Sequence, residues 1–343
     1  MMRLEDFDYD LPEALIAQEP LRRRDQARLM VIDRAKKSIT HDVFSNIGTY
    51  LPPRSCIVLN DSKVISARLL GRRESGGQVE IFLLNKLSDG YSYEALLRPL
   101  KRLKVDERII FNGGKLVAQI KDREHRIVRF NRKHIERQLE KVGHMPLPPY
   151  IKRKDRAADR KYYQTVYADK AGSVASPTAG LHFTNRLINK IQKSGHQIEK
   201  VTLHINYATF KPVEERDITK HAMHSEPYSL SAKTWRAVIK AQKKGRKVVA
   251  VGTTSCRVLE TLAQENAGKR RVGSLCGNTN IFMYPGFQFK MTDILITNFH
   301  LPRSTLLMLA YAFGGRDLMA KAYAQAVENR YRFYSYGDAM VIF

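Results

Sequence analysis

VVAVGTTSCRVLETLAQ, Val248 to Gln264, decides the fold class. Val248 to Val251 is a short apolar run of the kind found in strands buried on both faces. Gly252 breaks the run, and Thr253 or Thr254 offers a hydroxyl to cap a helix reaching Gln264. Strand, glycine and capped helix form the repeating unit of an α/β protein. The same grammar extends outward. Thr184 caps a helix to Lys193, Val201 to Ile205 is a strand, and Ser231 caps a helix to Lys244. Ser304 caps Thr305 to Phe313, and Leu318, Met319, Ala322, Tyr323, Ala326 and Val327 form an apolar stripe on a further helix.

Upstream the texture changes. From Ser55 to Phe130 short β segments succeed one another: Cys56–Leu59, Val64–Leu70, Gln78–Leu84, Tyr91–Leu97, Arg108–Phe111, Leu116–Lys121 and Arg126–Phe130. Turn residues such as Gly76-Gly77, Asp89-Gly90 and Gly113-Gly114 separate them, which predicts a small antiparallel barrel or sandwich. The prolines of Met145 to Tyr150 end it with a stiff connection. The first fifty residues hold too few apolar positions for a core of their own and are expected to pack on the C-terminal α/β part, making the β block an insertion.

The chain of 343 residues has 59 Lys and Arg against 34 Asp and Glu, a net charge of +25 that points to an acidic partner. Its basic clusters are Arg22–Arg24, Lys101–Lys104, Lys152–Arg156, Lys243–Lys247 and Lys269–Arg271. Gathered on one side, they would follow the phosphates of a folded RNA. The 43% hydrophobic content excludes a disordered chain. Three scattered cysteines fit a reduced cytoplasm, and no run approaches the ~18 apolar residues of a membrane span. His221, His224 and Glu226 lack the H-E-x-x-H pattern, so no metal is expected.

Ser176 to Thr184 combines a proline, a glycine, two hydroxyls and His182 ahead of a helix. A ligand there would meet free backbone N–H groups and the positive end of the helix dipole; a simple structural turn would look the same. Gly252-Thr253-Thr254 repeats this arrangement, and neither string has P-loop spacing. A carboxylate or ribose suits both better than a triphosphate. Tyr162, Tyr163 and Tyr167, beside a basic run, are candidates to stack on unstacked bases.

Nine strings together resemble the S-adenosylmethionine:tRNA ribosyltransferase-isomerase family of queuosine biosynthesis. They are DFDYDLP (6–12), IAQEPL (16–21), VLNDSKV (58–64), MPLPPYI (145–151), YQTVYA (163–168), PTAGLHFT (177–184), AVGTTSCRVLE (250–260), TNFHLPRSTLLML (297–309) and YRFYSYGDAM (331–340). The resemblance implies a mixed α/β main domain, 1–59 and 146–343, carrying an inserted antiparallel β-barrel domain, 60–145. It also implies transfer and isomerisation of the ribosyl part of S-adenosylmethionine onto 7-aminomethyl-7-deazaguanine at the tRNA wobble position, giving epoxyqueuosine-tRNA, adenine and methionine. S-Adenosylmethionine is then a consumed co-substrate, with no separate cofactor, and a cytoplasmic monomer suffices.

That chemistry needs a base for the proton on the 5′ carbon beside the sulfonium, and a proton for the departing adenine. His182 or His204 is expected as the base, with Asp338 or Glu226 as partner. Thr178, Gly180, Thr184, Gly252, Thr253 and Thr254 are expected to hold S-adenosylmethionine. Asn60, Asp61, Arg68 and Tyr163 are the candidates for the RNA base. Asn206 and Ala208 stand where the family usually has glycine, and a positive φ at Ala208 would be strained. A non-catalytic RNA-binding protein and a small-molecule S-adenosylmethionine enzyme are the competing readings.

Overall fold

A computed structural model describes residues 2–210, 213–266 and 275–343; the basic run Lys269–Arg271 and the side chain of Ala208 lie outside what is described. A nine-stranded sheet organises the larger part of the chain. Its strands run in the order Cys276–Thr279, Glu226–Ser229, Gln197–Leu203, Cys56–Asn60, Val248–Val251, Ile294–Asn298, Ala339–Ile342, Arg28–Asp33 and Ser38–Val43. The four central strands from Gln197–Leu203 to Ile294–Asn298 are parallel neighbours. Their ends at Asn60, Leu203, Val251 and Asn298 therefore open on one edge of the sheet, where ligands of open α/β sheets bind.

Alternation along these strands splits the core in two. Val58, Val248, Ala250 and Leu295 pack under the helices Ala232–Lys243, Thr253–Glu265, Thr305–Gly314 and Arg316–Glu328. Ile57, Leu59, Val249, Val251 and Ile296 face Phe44, Phe183, Leu187 and Ile191 on the other side. Helices on both faces explain why the strands read as continuous apolar runs. The N-terminal segment joins this sheet through Arg28–Asp33, which pairs in parallel with Ala339–Ile342.

The second sheet takes its strands in the order Gly143–His144, Arg68–Arg73, Gln78–Lys86, Ser92–Arg98, Ile127–Phe130, Leu116–Asp122 and Arg108–Phe111. It closes on itself where Arg72 and Arg73 pair with Ile110 and Ile109, giving a six-stranded antiparallel barrel from Arg68–Arg73 round to Arg108–Phe111. Leu69, Val79, Ile81, Ile109, Phe111 and Ile120 fill its interior. The fold is thus mixed α/β with a closed β-barrel. Two segments of the Ser55–Phe130 β run lie apart from the barrel, the first on the main-domain side of the expected boundary at residue 59. Cys56–Asn60 is a central strand of the large sheet, and the Val64–Leu70 segment splits into Ser62–Val64, paired with Lys170–Ser173, and the barrel strand Arg68–Arg73.

The segment in which Asn206 and Ala208 replace the usual glycines is helical. Tyr207–Phe210 forms a turn of 3-10 helix, with Thr209 N donating to Asn206 O at 3.2 Å.

Candidate active site

The sheet edge at the carboxyl ends of the parallel strands holds a largely apolar cleft. Its wall comprises Tyr150, Ala175–Ala179, Ile205, Thr209, Gly252–Thr254, Arg257, Thr297–Leu301, Ser304, Leu306 and Tyr334-Ser335. A second cavity adjoins it, sharing Thr209, Arg257 and Leu306 and adding His221, His224, Glu215 and Glu226. Five of the strings that carried the resemblance, separated by up to about 180 positions, thus meet on one surface.

Each wall element is positioned by local chemistry. Gly252 takes φ +86°, a left-handed angle that turns the chain sharply from strand into helix, and its own N–H is tied to Ile296 O at 2.8 Å. Gly252 offers no side chain to cap the Thr253–Glu265 helix. Thr254 Oγ1 accepts from Asn60 Nδ2 at 3.1 Å, which draws the helix start to the neighbouring strand. Across the cleft, Thr178–His182 is a short 3-10 turn following Pro177. Ser304 caps the Thr305–Gly314 helix by accepting from Leu307 N at 3.2 Å.

Of the residues expected to hold a ligand, Thr178, Gly252, Thr253 and Thr254 are on the wall. Gly180 and Thr184 are not. Gly180 is buried where a Cβ would overlap the Tyr167 hydroxyl, and Thr184 spends its hydroxyl capping the Asn185–Lys193 helix through Leu187 N at 3.1 Å. Asn60 lies beneath the cleft, accepting from Leu203 N and Ser62 N and donating to Leu203 O and Thr254 Oγ1. It is a brace between strands. Arg68 sits on the barrel, paired with Glu80 at 2.8 Å. Tyr163 is fully buried among Val64, Met145, Leu181 and Tyr336, which denies its face to a base; Tyr167 is buried too. Tyr162, half-buried under the Arg24 guanidinium, is the tyrosine on the surface.

The acid and base candidates pair otherwise than expected. Asp338 accepts from the Arg28 and Arg332 backbone N–H groups at 2.9 and 2.8 Å and from Arg28 Nε at 3.3 Å. Glu226 accepts from Asn206 N and Thr209 Oγ1 and pairs with Arg257 in a buried ion pair. Those bonds occupy both carboxylates with partners other than histidine. His182 is buried against Phe44, and its Nε2 lies 3.2 Å from Asn298 Nδ2. An amide nitrogen only donates, so Nε2 accepts and the ring is neutral. Burial first, then the Arg24 and Arg332 charges, push its pKa down to about 3.

His204 differs. It borders the cleft through its neighbour Ile205 without lining it, is partly exposed, has its Nδ1 3.2 Å from Ser62 Oγ, and a Cβ on Gly172 would press on its ring. Burial lowers its pKa while the Asp61 charge opposes the fall. Asp61 itself accepts from Thr202 Oγ1 at 2.7 Å. The carboxylate whose charge acts on this imidazole is therefore one first assigned to the RNA base.

Sequence reasoning missed Asn298, His300, Arg257 and Tyr334 as wall residues, although each stands in a quoted string. His300 is held on three sides: Nε2 is 2.9 Å from Thr297 Oγ1, its N–H donates to Tyr323 at 3.0 Å, and its carbonyl accepts from Tyr9 at 2.5 Å. Burial pushes its pKa to about 3. Among the described residues no group of three His, Cys, Asp or Glu is placed to hold a metal ion, and no helix is long and apolar enough to cross a membrane.

Two basic clusters converge beside the cleft. Arg153 and Arg156 both reach Glu19, at 3.0 and 2.9 Å, Arg153 also pairs with Asp159 at 2.7 Å, and the groove lining includes Glu19, Arg22, Arg153, Arg156, Asp159 and Tyr162. A neighbouring groove holds Arg24, Tyr162 and Tyr336 and shares Ser335 with the cleft.

An α/β sheet with a barrel, an apolar cleft at its carboxyl edge and a basic groove alongside belong together here: the chain is a member of the queuosine biosynthesis protein family, whose model matches residues 4–342. It is similar to the S-adenosylmethionine:tRNA ribosyltransferase-isomerases of Sulfurihydrogenibium sp. (strain YO3AOP1) and Caldanaerobacter subterraneus subsp. tengcongensis. Each is 49% identical over 99% of this chain and 100% of its own length. The crystal structure of the S-adenosylmethionine tRNA ribosyltransferase of Thermotoga maritima is similar over 98% of this chain and 100% of its own, at 36% identity and a TM-score of 0.57.

Proposed function

We propose that the chain is an S-adenosylmethionine:tRNA ribosyltransferase-isomerase. It transfers and isomerises the ribosyl group of S-adenosylmethionine onto 7-aminomethyl-7-deazaguanine at the tRNA wobble position, giving epoxyqueuosine-tRNA, adenine and methionine. The observation that carries this reading is the convergence of five family strings on the one cleft at the carboxyl edge of the sheet. S-Adenosylmethionine lies there as a consumed co-substrate without a resident cofactor, and the protein works as a cytoplasmic monomer.

The sulfonium acidifies the 5′ carbon, and His204 takes that proton. The reason is access and charge: His204 is partly exposed and feels the Asp61 charge, whereas His182 and His300 are buried, and a base must reach the proton it removes. His182 and His300, at about 3, bind a proton too weakly. His204, with Asp61 opposing the effect of burial, remains as the base. His182 acts instead by accepting from Asn298 and fixing that amide. The tRNA lies on the groove of Arg22, Arg153, Arg156 and Tyr162, which places its phosphates on cations and leaves Tyr162 for stacking.

The test is adenine release from S-adenosylmethionine in the presence of tRNA carrying 7-aminomethyl-7-deazaguanine. Release only with that RNA is expected. RNA binding without adenine would make the protein a binding module, and turnover without RNA would make it a small-molecule enzyme; either overturns the reading.

A further inference from the structure

Two residues that line the cleft each hold a buried polar atom with no hydrogen-bond partner among the described residues. The amide nitrogen of Asn298 faces three acceptors: Tyr334 O at 3.1 Å, His182 Nε2 at 3.2 Å and Asp338 O at 3.4 Å. These fix which way the amide is turned, so Oδ1 points away from them. Asn298 is 2% exposed, and Oδ1 has no partner among the described residues. An amide oxygen only accepts, so the partner it lacks is a donor.

Arg257 is the complement. One terminal nitrogen pairs with Glu226, the other donates to Thr279 O at 3.3 Å, and the buried Nε–H has no partner among the described residues. Arg257 is 5% exposed, and Nε only donates, so the partner it lacks is an acceptor. Thr253 and Arg257 are four residues apart and share a helix face, which brings the uncapped start of the helix to the same stretch of wall. Arg257 also borders the second cavity. Asn298 instead bonds Tyr334, whose ring lies 4.6 Å from that of Tyr150. The two residues thus differ in what they lack: Arg257 an acceptor, and Asn298, beside the Tyr150 and Tyr334 rings, a donor.

We propose that S-adenosylmethionine lies in this cleft in one direction only, its α-carboxylate on Arg257 Nε and the Thr253 helix start, its adenine 6-amino group on Asn298 Oδ1 beside Tyr150 and Tyr334. This rests on the function proposed above and adds the orientation of the co-substrate and the two residues that select its ends.

Calorimetric titration of the full chain with three ligands tests it: S-adenosylmethionine, its decarboxylated analogue and its 6-oxo analogue. Each analogue is expected to bind the native protein about tenfold to a hundredfold more weakly, the value of a charge-assisted or buried hydrogen bond. Arg257→Lys keeps a cation beside Glu226 but removes Nε–H. In this variant the decarboxylation penalty falls to about threefold or less while the 6-oxo penalty persists, and in Asn298→Ala the pattern reverses. Penalties that are unchanged in the variants, or exchanged between them, overturn the orientation. Should either variant fail to fold, native protein that binds the decarboxylated or the 6-oxo analogue as tightly as S-adenosylmethionine overturns it equally. Failure of the underlying function is read separately, as no binding of S-adenosylmethionine itself and no adenine released.

Discussion

His204 and His182 show how one residue type takes two roles through its surroundings. Both were legible as chemically competent imidazoles in polar strings, but their difference lies in burial, which depends on residues far away in sequence: Phe44 over His182, Asp61 and Ser62 beside His204. Only the neutral form of His204 takes a proton, and burial lowers its pKa. The acid limb of the rate profile should therefore fall below the pH of an ordinary imidazole. Asp61→Asn removes the charge that opposes this, so the limb moves further toward acid while Thr202 keeps an acceptor. His204→Gln should lower kcat by about 10²- to 10⁴-fold. Adenine release measured between pH 4 and 8 (roughly, the span around an ordinary imidazole) decides it. A limb that stays in place in Asp61→Asn removes the pair from the mechanism.

At the scale of elements, the strand-to-helix unit at Val248–Glu265 was readable because a four-residue apolar strand, a glycine and a hydroxyl are all local signals. Membership of a sheet is not local. Cys56–Asn60 has the same buried apolar pattern whichever sheet accepts it, and only its parallel register with Val248–Val251 and Gln197–Leu203 assigns it. Tyr163 was misplaced for the same reason: its polar neighbours suggest a surface, while Tyr336, far along the chain, packs edge-on against it at 5.9 Å. Two elements give predictions. Gly71 lies at the seam that closes the barrel, where an added Cβ would come within 2.5 Å of Phe111 and 2.7 Å of Ile109. Gly71→Ala should cost about 1–3 kcal/mol by overpacking, and denaturant unfolding with an unchanged midpoint would contradict it. Thr254→Val leaves Asn60 Nδ2 with one acceptor fewer at the start of the Thr253–Glu265 helix. It should weaken S-adenosylmethionine binding about fivefold to tenfold, and calorimetry showing an unchanged dissociation constant would detach that helix start from the ligand.

The whole molecule carries two charge balances of different kind. The surface excess, +25, is long-range, so tRNA affinity should fall by about one power of salt for each phosphate neutralised. The buried histidines are short-range and act on folding. His182 and His300 have pKa values near 3 in the fold, against about 6.5 in an unfolded chain. Between those values the unfolded chain binds more protons, so stability is full above about pH 6.5 and declines as the pH falls toward 3. The carboxylates that the fold lowers, such as Asp42 and Glu107, lose their contribution only near and below their ordinary pKa of about 4. From pH 6.5 to 5 the loss therefore belongs mainly to histidine. It comes to about 2 kcal/mol for each of the two fully buried rings, with the lowered His196 and His204 acting in the same direction and the raised, exposed His125 against it. The Tm should drop across that window, and His182→Gln, which cannot charge, should flatten the slope by nearly half whatever it does to the absolute Tm. A variant that follows the native slope would mean that His182 takes up its proton without unfolding, and its burial would then impose no acid limit on the fold.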